Sequence, residues 1–187
     1  TGLYQTTYNA NVALMKSYLD AGGRLLLAYY DEGYYGYAGD FYTTYLQATY
    51  LTDSGSKNVV NGVDIMSGVS FDLSTASYPD GFNIGANAVG IFDNATLPGW
   101  AGSRITRGAY KAIYLGFSFY QIPAASGQQQ PLLDKALAWL IGSADPLPDG
   151  GPVCRRLRRG VVAELVVEVV GIGADEGQTP HILGERQ

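Results

Sequence analysis

Two adjacent carboxylic acids, Asp31 and Glu32, are the residues of this sequence whose types best suit acid–base chemistry. They follow the apolar stretch 24–30, so they are expected at the carboxyl end of a strand, where ligands bind in open α/β sheets. Hydrolysis of a glycosidic bond needs two carboxylates facing each other about 5–10 Å apart, and neighbours in a loop point apart. The second carboxylate would have to come from Asp64, Asp72 or Asp93. A hydrolase using Asp31 or Glu32 is one hypothesis, and a solvated acidic loop or helix cap is the simpler alternative.

Tyrosines surround these two acids, at positions 29, 30, 34, 35 and 37. Aromatic faces stack on sugar rings while the phenol hydroxyls still form hydrogen bonds, and exposed aromatic clusters mark interaction sites. A carbohydrate-binding surface on the loop 29–37 is therefore a second hypothesis, although Tyr29 and Tyr30 can instead belong partly to the core. The ligand-binding candidates are Tyr30, Asp31, Glu32, Tyr34, Tyr35 and Tyr120.

The composition excludes several classes of site. Cys154 and His181 are the only residues of their types, so we predict no disulfide within the chain, no metal site and no cofactor. The run Gly33-Tyr34-Tyr35-Gly36 lacks the lysine of a phosphate-binding loop and the spacing of a dinucleotide motif.

The net charge of −5 disfavours a nucleic-acid partner, because proteins that bind nucleic acid need a basic surface. No apolar stretch approaches the roughly 20 residues that cross a bilayer, so we predict no membrane span. The triplet Asn94-Ala95-Thr96 matches a glycosylation acceptor, but so short a motif also occurs by chance.

Apolar periodicity predicts a body of mixed helices and strands. The stretch 24–30 is continuously apolar, which suits a strand buried on both faces of a parallel sheet, and the stretch 111–119 is a strongly apolar strand candidate. Gly22 and Gly142 are expected to end helices, and Asp40 is expected to cap one. The predicted helices are 9–21, 41–51 and one beginning at Pro131, and the predicted strands are 24–30, 59–63, 70–73, 88–92, 104–106 and 111–119.

The chain divides into two compositional parts. All 15 tyrosines and both tryptophans precede position 145, whereas the residues from 150 onward contain no aromatic side chain and no lysine. The segment between these parts is rich in proline and glycine, which is typical of a linker. We therefore expect a domain at 1–144, a linker at 145–152 and a tail of unknown role at 153–187 that lies outside the core. Removing the tail is expected not to lower the melting temperature.

Three segments carry a family resemblance. They are residues 18–27 (YLDAGGRLLL), residues 40–46 (DFYTTYL), and residues 112–119 (AIYLGFSF) with the helix 132–140 after them. In this order and spacing they resemble the class I glutamine amidotransferase-like domains appended to secreted bacterial peptidases and other exported multidomain proteins. The resemblance implies an α/β class with a flavodoxin-like parallel sheet and helices on both faces. It also implies that the first βαβ portion is missing and that the middle of the chain is a β-rich insertion.

The same resemblance implies where a catalytic triad would lie. A cysteine nucleophile would fall within 28–33, which contains neither Cys nor Ser, and a His-x-Glu pair would fall where Tyr120-Gln121-Ile122 stands. A tyrosine cannot perform thiolate chemistry at neutral pH. We therefore predict no catalytic residues and no amidotransferase activity.

These observations favour a non-catalytic accessory or interaction domain of an exported bacterial multidomain protein, such as a peptidase. The expected location is outside the cell or at its surface. The expected partners are other domains of the same polypeptide, with a polysaccharide or a protein at the cell surface as further candidates.

Overall fold

The computed structural model of the chain describes residues 2–30, 32–35, 39–52, 58–94, 98–142 and 166–168, with the backbone alone at residues 2–10, 32, 35 and 166–168. These residues contain three α-helices and nine strands. The helices are α1 (Gly2–Asp20), α2 (Glu32–Tyr35) and α3 (Gln129–Ile141). The strands are β1 (Arg24–Ala28), β2 (Ala48–Thr52), β3 (Val59–Gly62), β4 (Ser70–Asp72), β5 (Gly81–Ile84), β6 (Ala88–Asn94), β7 (Trp100–Arg107), β8 (Tyr110–Leu115) and β9 (Val166–Glu168).

A single mixed sheet contains all nine strands and curls strongly into a half-barrel. The strands follow the order β4-β3-β6-β7-β8-β1-β9, and β5 pairs with both β7 and β2 beside this path. Strand β1 runs parallel to β8 and β9, whereas the other six pairings in the described residues are antiparallel. The predicted flavodoxin-like fold, a parallel sheet with helices on both faces, is therefore wrong. The middle of the chain is not an insertion into a parallel sheet, because it supplies most of the strands.

The curl of the sheet has local causes in β6 and β7. The register between these strands shifts twice, between Gly90 and Phe92 and between Phe92 and Asp93, and such bulges bend a strand and increase its twist. Gly102 of β7 has no side chain, which allows the Phe92 and Leu115 side chains to pack closely over this strand. A Cβ atom there would lie 2.9 Å from Phe92 Cδ2 and 3.0 Å from Leu115 Cδ2, so any larger residue would separate these two side chains.

Strands β1 and β8 are buried on both faces. The continuous apolar sequence of 24–30 predicted this for β1, whereas 111–119 was expected only to be a strongly apolar strand. Successive side chains of a strand point to opposite faces, so the residues of β1 and β8 divide between two apolar clusters. One cluster contains Leu26, Ala28, Ile113 and Leu115 together with Leu132, Ala136 and Leu140 of α3. The other contains Leu25, Leu27, Ala112 and Tyr114 together with Val12, Met15 and Leu19 of α1. Burial of each large apolar side chain contributes about 1.5–3 kcal/mol, which fixes both helices against this part of the sheet.

The predicted helix at 41–51 is wrong beyond its first turn. Residues Phe41–Tyr45 form a single turn of π-helix, closed by a hydrogen bond from the Leu46 amide to the Phe41 carbonyl (3.0 Å), and β2 then begins. Asp40 does not cap this turn. Its carboxylate instead pairs with the Lys16 ammonium of α1, which lowers the pKa of Asp40. Phe41 and Leu46 are both buried, so tertiary packing overrides the helical periodicity of the segment.

Helix α3 is confirmed, and its end at Gly142 (φ +76°) agrees with the prediction. The Lys111 ammonium donates a hydrogen bond to the Trp139 carbonyl (3.0 Å) and lies 4.8 Å from the centre of the Trp139 ring. The Arg104 guanidinium contacts the same ring and pairs with Asp64. Burial lowers the pKa of Lys111. Two cations of the sheet thus hold the last turn of α3, where the helix dipole favours positive charge.

Three residues of the tail form β9, which pairs with β1 so that Val166 lies opposite Leu25. The rest of 143–187 lies outside the described residues. The domain boundaries at 144 and 152, and the stability of the chain without its tail, stay predictions.

Candidate functional site

Three segments meet at the carboxyl ends of β1 and β8. The Tyr29 amide, just after β1, donates to the Leu115 carbonyl at the end of β8 (3.1 Å). The Asp80 amide donates to the Gly116 carbonyl (2.7 Å), which brings the segment before β5 to the same place. We call this region the tyrosine end, and it comprises Tyr29, Tyr30, residues 32–34, residues 75–80 and residues 116–122.

Asp80 is the buried polar centre of the tyrosine end. Its side chain is fully buried, and its Oδ2 atom accepts a hydrogen bond from the Gly33 amide of α2 (2.8 Å). Gly33 also permits close packing, because a Cβ atom there would lie 2.6 Å from Tyr50 Cδ2 and 2.8 Å from the Tyr42 hydroxyl. A buried backbone N–H needs an acceptor, and this side-chain oxygen supplies one to the Gly33 amide. Asp80 therefore positions α2 and the tyrosine that it carries.

Three tyrosines of this region are more than half exposed: Tyr34 (58%), Tyr78 (55%) and Tyr120 (55%). The edge of the Tyr34 ring packs against Tyr50, with 6.2 Å between the ring centres. Tyr78 adopts a φ of +50°, a left-handed conformation that is uncommon for a residue with a bulky side chain. Such backbone strain concentrates at functional positions. Tyr29 and Tyr30 stack on each other at 5.7 Å and are only partly exposed.

A shallow cleft of about 360 Å³ lies within the tyrosine end. Its walls are the turn 75–77 and the segment 120–124, with Gln129 of α3 beside them. The Gln121 side chain joins the walls, because its amide nitrogen donates to the Ser77 carbonyl (2.7 Å) while its oxygen accepts from the Ser118 amide (3.0 Å). The Gln129 amide nitrogen donates to the Ile122 carbonyl (2.9 Å). These bonds fix the shape of the cleft without a ligand.

The structure brings some of the six predicted site residues together. Tyr30, Tyr34 and Tyr120 all lie at the tyrosine end. Glu32 and Tyr35 begin and end α2, which the Gly33 contact holds at this end, and only their backbone is described. Asp31 lies outside the described residues. Their assignment to a ligand stays a prediction.

The three acids proposed as partners for a hydrolase have other roles or positions. Asp64 pairs with Arg104, whose hydrogen bond lowers the pKa of the Asp64 carboxyl group. Asp72 accepts a hydrogen bond from the Ser74 amide (2.7 Å) in a turn, and Asp93 is exposed on β6. An acid held ionised by an arginine is poorly suited to donate a proton near neutral pH. None of the three offers specific support for the hydrolase.

Sequence reasoning missed Asp80 and Tyr78. Both belong to the run Ser77-Tyr78-Pro79-Asp80-Gly81, whose Pro-Asp-Gly signal is typical of a solvated turn. The turn itself could have pointed to these two residues, since loops at the ends of strands carry many binding residues. Burial of Asp80 depends on the packing of distant segments, which the local sequence does not encode.

A second cavity, of about 400 Å³, lies at the opposite end of β8. There the Tyr45 hydroxyl donates to the Asp20 carboxylate (3.0 Å), which raises the pKa of Tyr45. The Tyr110 hydroxyl donates to the Tyr45 carbonyl (3.1 Å), and Arg107 donates to the Thr44 carbonyl (2.7 Å). These polar groups bind one another, so this cavity has the character of a structural junction between α1, the π-helical turn and β8.

Asn94 of the glycosylation triplet is buried, at 6% exposed. Its side-chain oxygen accepts a hydrogen bond from the Asn58 amide group (2.7 Å). The folded domain therefore does not present this side chain for modification.

Comparisons with known proteins assign no relative to the chain: no family model, no curated protein and no solved structure matches it. The resemblance to amidotransferase-like domains receives no support from them. Within the described residues, no group of three or more His, Cys, Asp or Glu side chains is arranged to hold a metal ion. None of the helices in this part of the chain has the length and apolar character needed to cross a membrane.

Proposed function

We propose that this chain is a non-catalytic binding domain of an exported multidomain protein, and that it contacts its ligand through the tyrosine end. The observation that carries the proposal is the exposure of Tyr34, Tyr78 and Tyr120 on three segments that hydrogen bonds hold together. Tyrosine is enriched in binding surfaces because a rigid aromatic ring offers a large contact area and its hydroxyl still forms hydrogen bonds. Location outside the cell is part of the proposal and rests on the sequence resemblance alone.

The chemistry of this end also supports binding rather than catalysis. The segment 28–33 supplies no Cys or Ser. Of the carboxyl groups at this end whose side chains the structure describes, Asp80 is fully buried and accepts a hydrogen bond from the backbone of α2. A general acid or base must come within hydrogen-bonding distance of its substrate. A fully buried carboxylate instead suits the role of holding the binding surface in shape.

The proposal is tested by mapping small probes on the full chain with ¹³C-labelled tyrosine rings. The probes are phenol, N-methylacetamide and methyl β-glucopyranoside, each titrated separately and followed by NMR. We expect saturable shift changes of at least one probe at Tyr34, Tyr78 and Tyr120, with little change at Tyr45 and Tyr110. Leu14→Ala is the matched control: Leu14 is 70% exposed on α1, so its truncation should leave the probe-induced shift changes at Tyr34, Tyr78 and Tyr120 as they are in the wild type.

Two results would overturn the proposal. The first is that the probes bind beside Tyr45 and Tyr110, or at no tyrosine at all. The second is turnover of chromogenic aryl glycosides or esters that disappears in Glu32→Gln, which would establish a hydrolase instead.

A further inference from the structure

Among the residues that the structure describes, the cleft within the tyrosine end is lined by uncharged groups. These lining residues are Thr, Ala, Ser, Tyr, Gln, Ile and Pro, with no Lys, Arg, Asp or Glu among those described. The hydroxyl-bearing residues Thr75 and Ser77 are exposed, and the Tyr120 ring is more than half exposed. A ligand with a formal charge would lose water here without gaining a counter-charge, which is unfavourable.

Gln129 adds a directed acceptor to the cleft. Its amide nitrogen faces the Ile122 carbonyl, and an oxygen in that place would repel the carbonyl, so the orientation of the amide group is fixed. The Oε1 atom is therefore left as an acceptor for a hydroxyl donor. The cleft thus combines one exposed aromatic face with hydroxyl and amide groups, which complements a molecule that has one apolar face and many hydroxyl groups.

The volume and shape of the cleft also limit the ligand. About 360 Å³ is near the lower end of the roughly 300–1,000 Å³ found for small-molecule sites. The cleft is shallow and open to solvent, so a chain can continue beyond it on either side. Tyr78, directly after Ser77, offers a second exposed ring next to one wall.

We infer that this cleft binds a short stretch of an uncharged hexose or pentose polymer. The Tyr120 ring stacks on a sugar ring, and Gln129 Oε1 accepts a hydrogen bond from a sugar hydroxyl. This inference rests on the proposed function, to which it adds the class of ligand. It places the sugar against Tyr120, on the side of the 75–77 turn, and not on the loop around Tyr34.

The test is titration of the full chain with defined hexasaccharides, followed by tyrosine-ring NMR and by affinity electrophoresis in gels containing the parent polysaccharides. The uncharged set is cellohexaose, xylohexaose, maltohexaose and β-1,3-glucan hexaose. The charged set is hexagalacturonate and a hyaluronan hexasaccharide. We expect at least one uncharged oligosaccharide to bind and both charged ones to bind at least tenfold more weakly.

Four variants locate the site. Tyr120→Ala should weaken binding about tenfold or more through loss of the stacked ring, whereas Tyr120→Phe should retain the affinity within about threefold. Gln129→Leu should weaken binding by removing the acceptor. Tyr34→Ala, which removes an equally exposed ring at the same end but outside the cleft, should weaken binding less than Tyr120→Ala. Leu14→Ala is the matched control, since it truncates an exposed apolar side chain on α1, and it should leave the affinity unchanged. Thermal melts establish that each variant is folded.

The outcomes separate this inference from the proposed function. Sugar binding that Tyr34→Ala abolishes and Tyr120→Ala preserves would overturn the cleft assignment, and so would preference for the charged oligosaccharides. Absence of sugar binding, with phenol or N-methylacetamide still shifting Tyr34, Tyr78 and Tyr120, would overturn the inference and leave the binding domain standing. Absence of any probe at the tyrosine end would overturn both.

Discussion

Replacement of Asp80 by alanine tests whether a buried carboxylate positions the tyrosine end. The substitution removes the acceptor of the Gly33 amide, a bond of 2.8 Å to a fully buried side chain. Leaving a buried backbone donor without its acceptor costs about 1–3 kcal/mol. We therefore expect Asp80→Ala to lower the free energy of unfolding by about 2 kcal/mol and the melting temperature by about 4–8 °C, given roughly 2–4 °C per kcal/mol in a protein of this size.

Urea denaturation followed by circular dichroism measures the loss, and hydrogen exchange of the Gly33 amide locates it. Asp80→Asn keeps a carbonyl acceptor and should cost less than Asp80→Ala. Asp72→Ala is the matched control, because Asp72 also accepts a backbone amide, from Ser74 (2.7 Å), but is exposed. If Asp80→Ala were no more destabilising than Asp72→Ala, or if Gly33 exchanged at the wild-type rate in it, the positioning role of Asp80 would be refuted.

Two further changes test the packing and electrostatics of the sheet. Gly90→Ala would place a Cβ atom 2.1 Å from the Trp100 ring, so we expect it to lower the free energy of unfolding, measured by urea denaturation, by about 1–3 kcal/mol. If the clash is the cause, the double variant with Trp100→Ala should recover part of this loss. Additive losses from the two substitutions would contradict the clash. Arg104 lowers the pKa of Asp64, so the pair stabilises the fold above the ordinary carboxyl pKa of about 3.9, and this contribution is lost as the pH falls through the lowered pKa. Because the pair is partly exposed, Asp64→Asn should cost only about 0.5–1 kcal/mol at pH 7, and this cost should shrink as the pH falls below about 3.9. A cost that does not change with pH would show that the charge pair is not its cause.

The strands with the strongest apolar character were predictable from the sequence. Residues 24–30 were expected to form a strand buried on both faces and residues 111–119 a strongly apolar strand. Strands β1 and β8 lie at these positions and run parallel to each other. The helix that ends at Gly142 was equally clear, because its periodicity and its terminal glycine agree. These elements are specified by local composition, since β1 and β8 bury all their apolar side chains and α3 buries one apolar face.

The architecture was not predictable because it depends on pairings between distant segments. Strand β5 begins at Gly81 and pairs with β2, a segment whose periodicity predicted a helix. The packing of Phe41 and Leu46 decides its conformation, and the helical spacing does not. The short strands of the middle were expected, at 59–63, 70–73 and 88–92, but a strand pattern does not state its partner or direction. A parallel pair was therefore extended wrongly to the whole sheet.

The tyrosine end was predictable in part. Tyr30 and Tyr34 were recognised because they belong to a cluster of tyrosines around two adjacent acids. Tyr120 was recognised because it stands where the family resemblance places a catalytic His-x-Glu pair. Tyr78 and Asp80 were not, because a Pro-Asp-Gly turn has the same local sequence whether its acid is solvated or buried. The difference arises from the contact with Gly33, 47 positions away.

The division of β8 between two apolar clusters has a consequence for the specificity of strand pairing. In a sheet with one wet face, a one-residue slip would expose apolar side chains, and polarity alone would enforce the alignment. A slip of β8 against β1 would exchange Ile113 and Leu115 with Ala112 and Tyr114, and would turn Lys111 away from Trp139. Among the apolar residues the choice between these alignments therefore rests on volume, since Tyr114 fills a space beside Phe82 that the smaller Leu115 would leave partly empty.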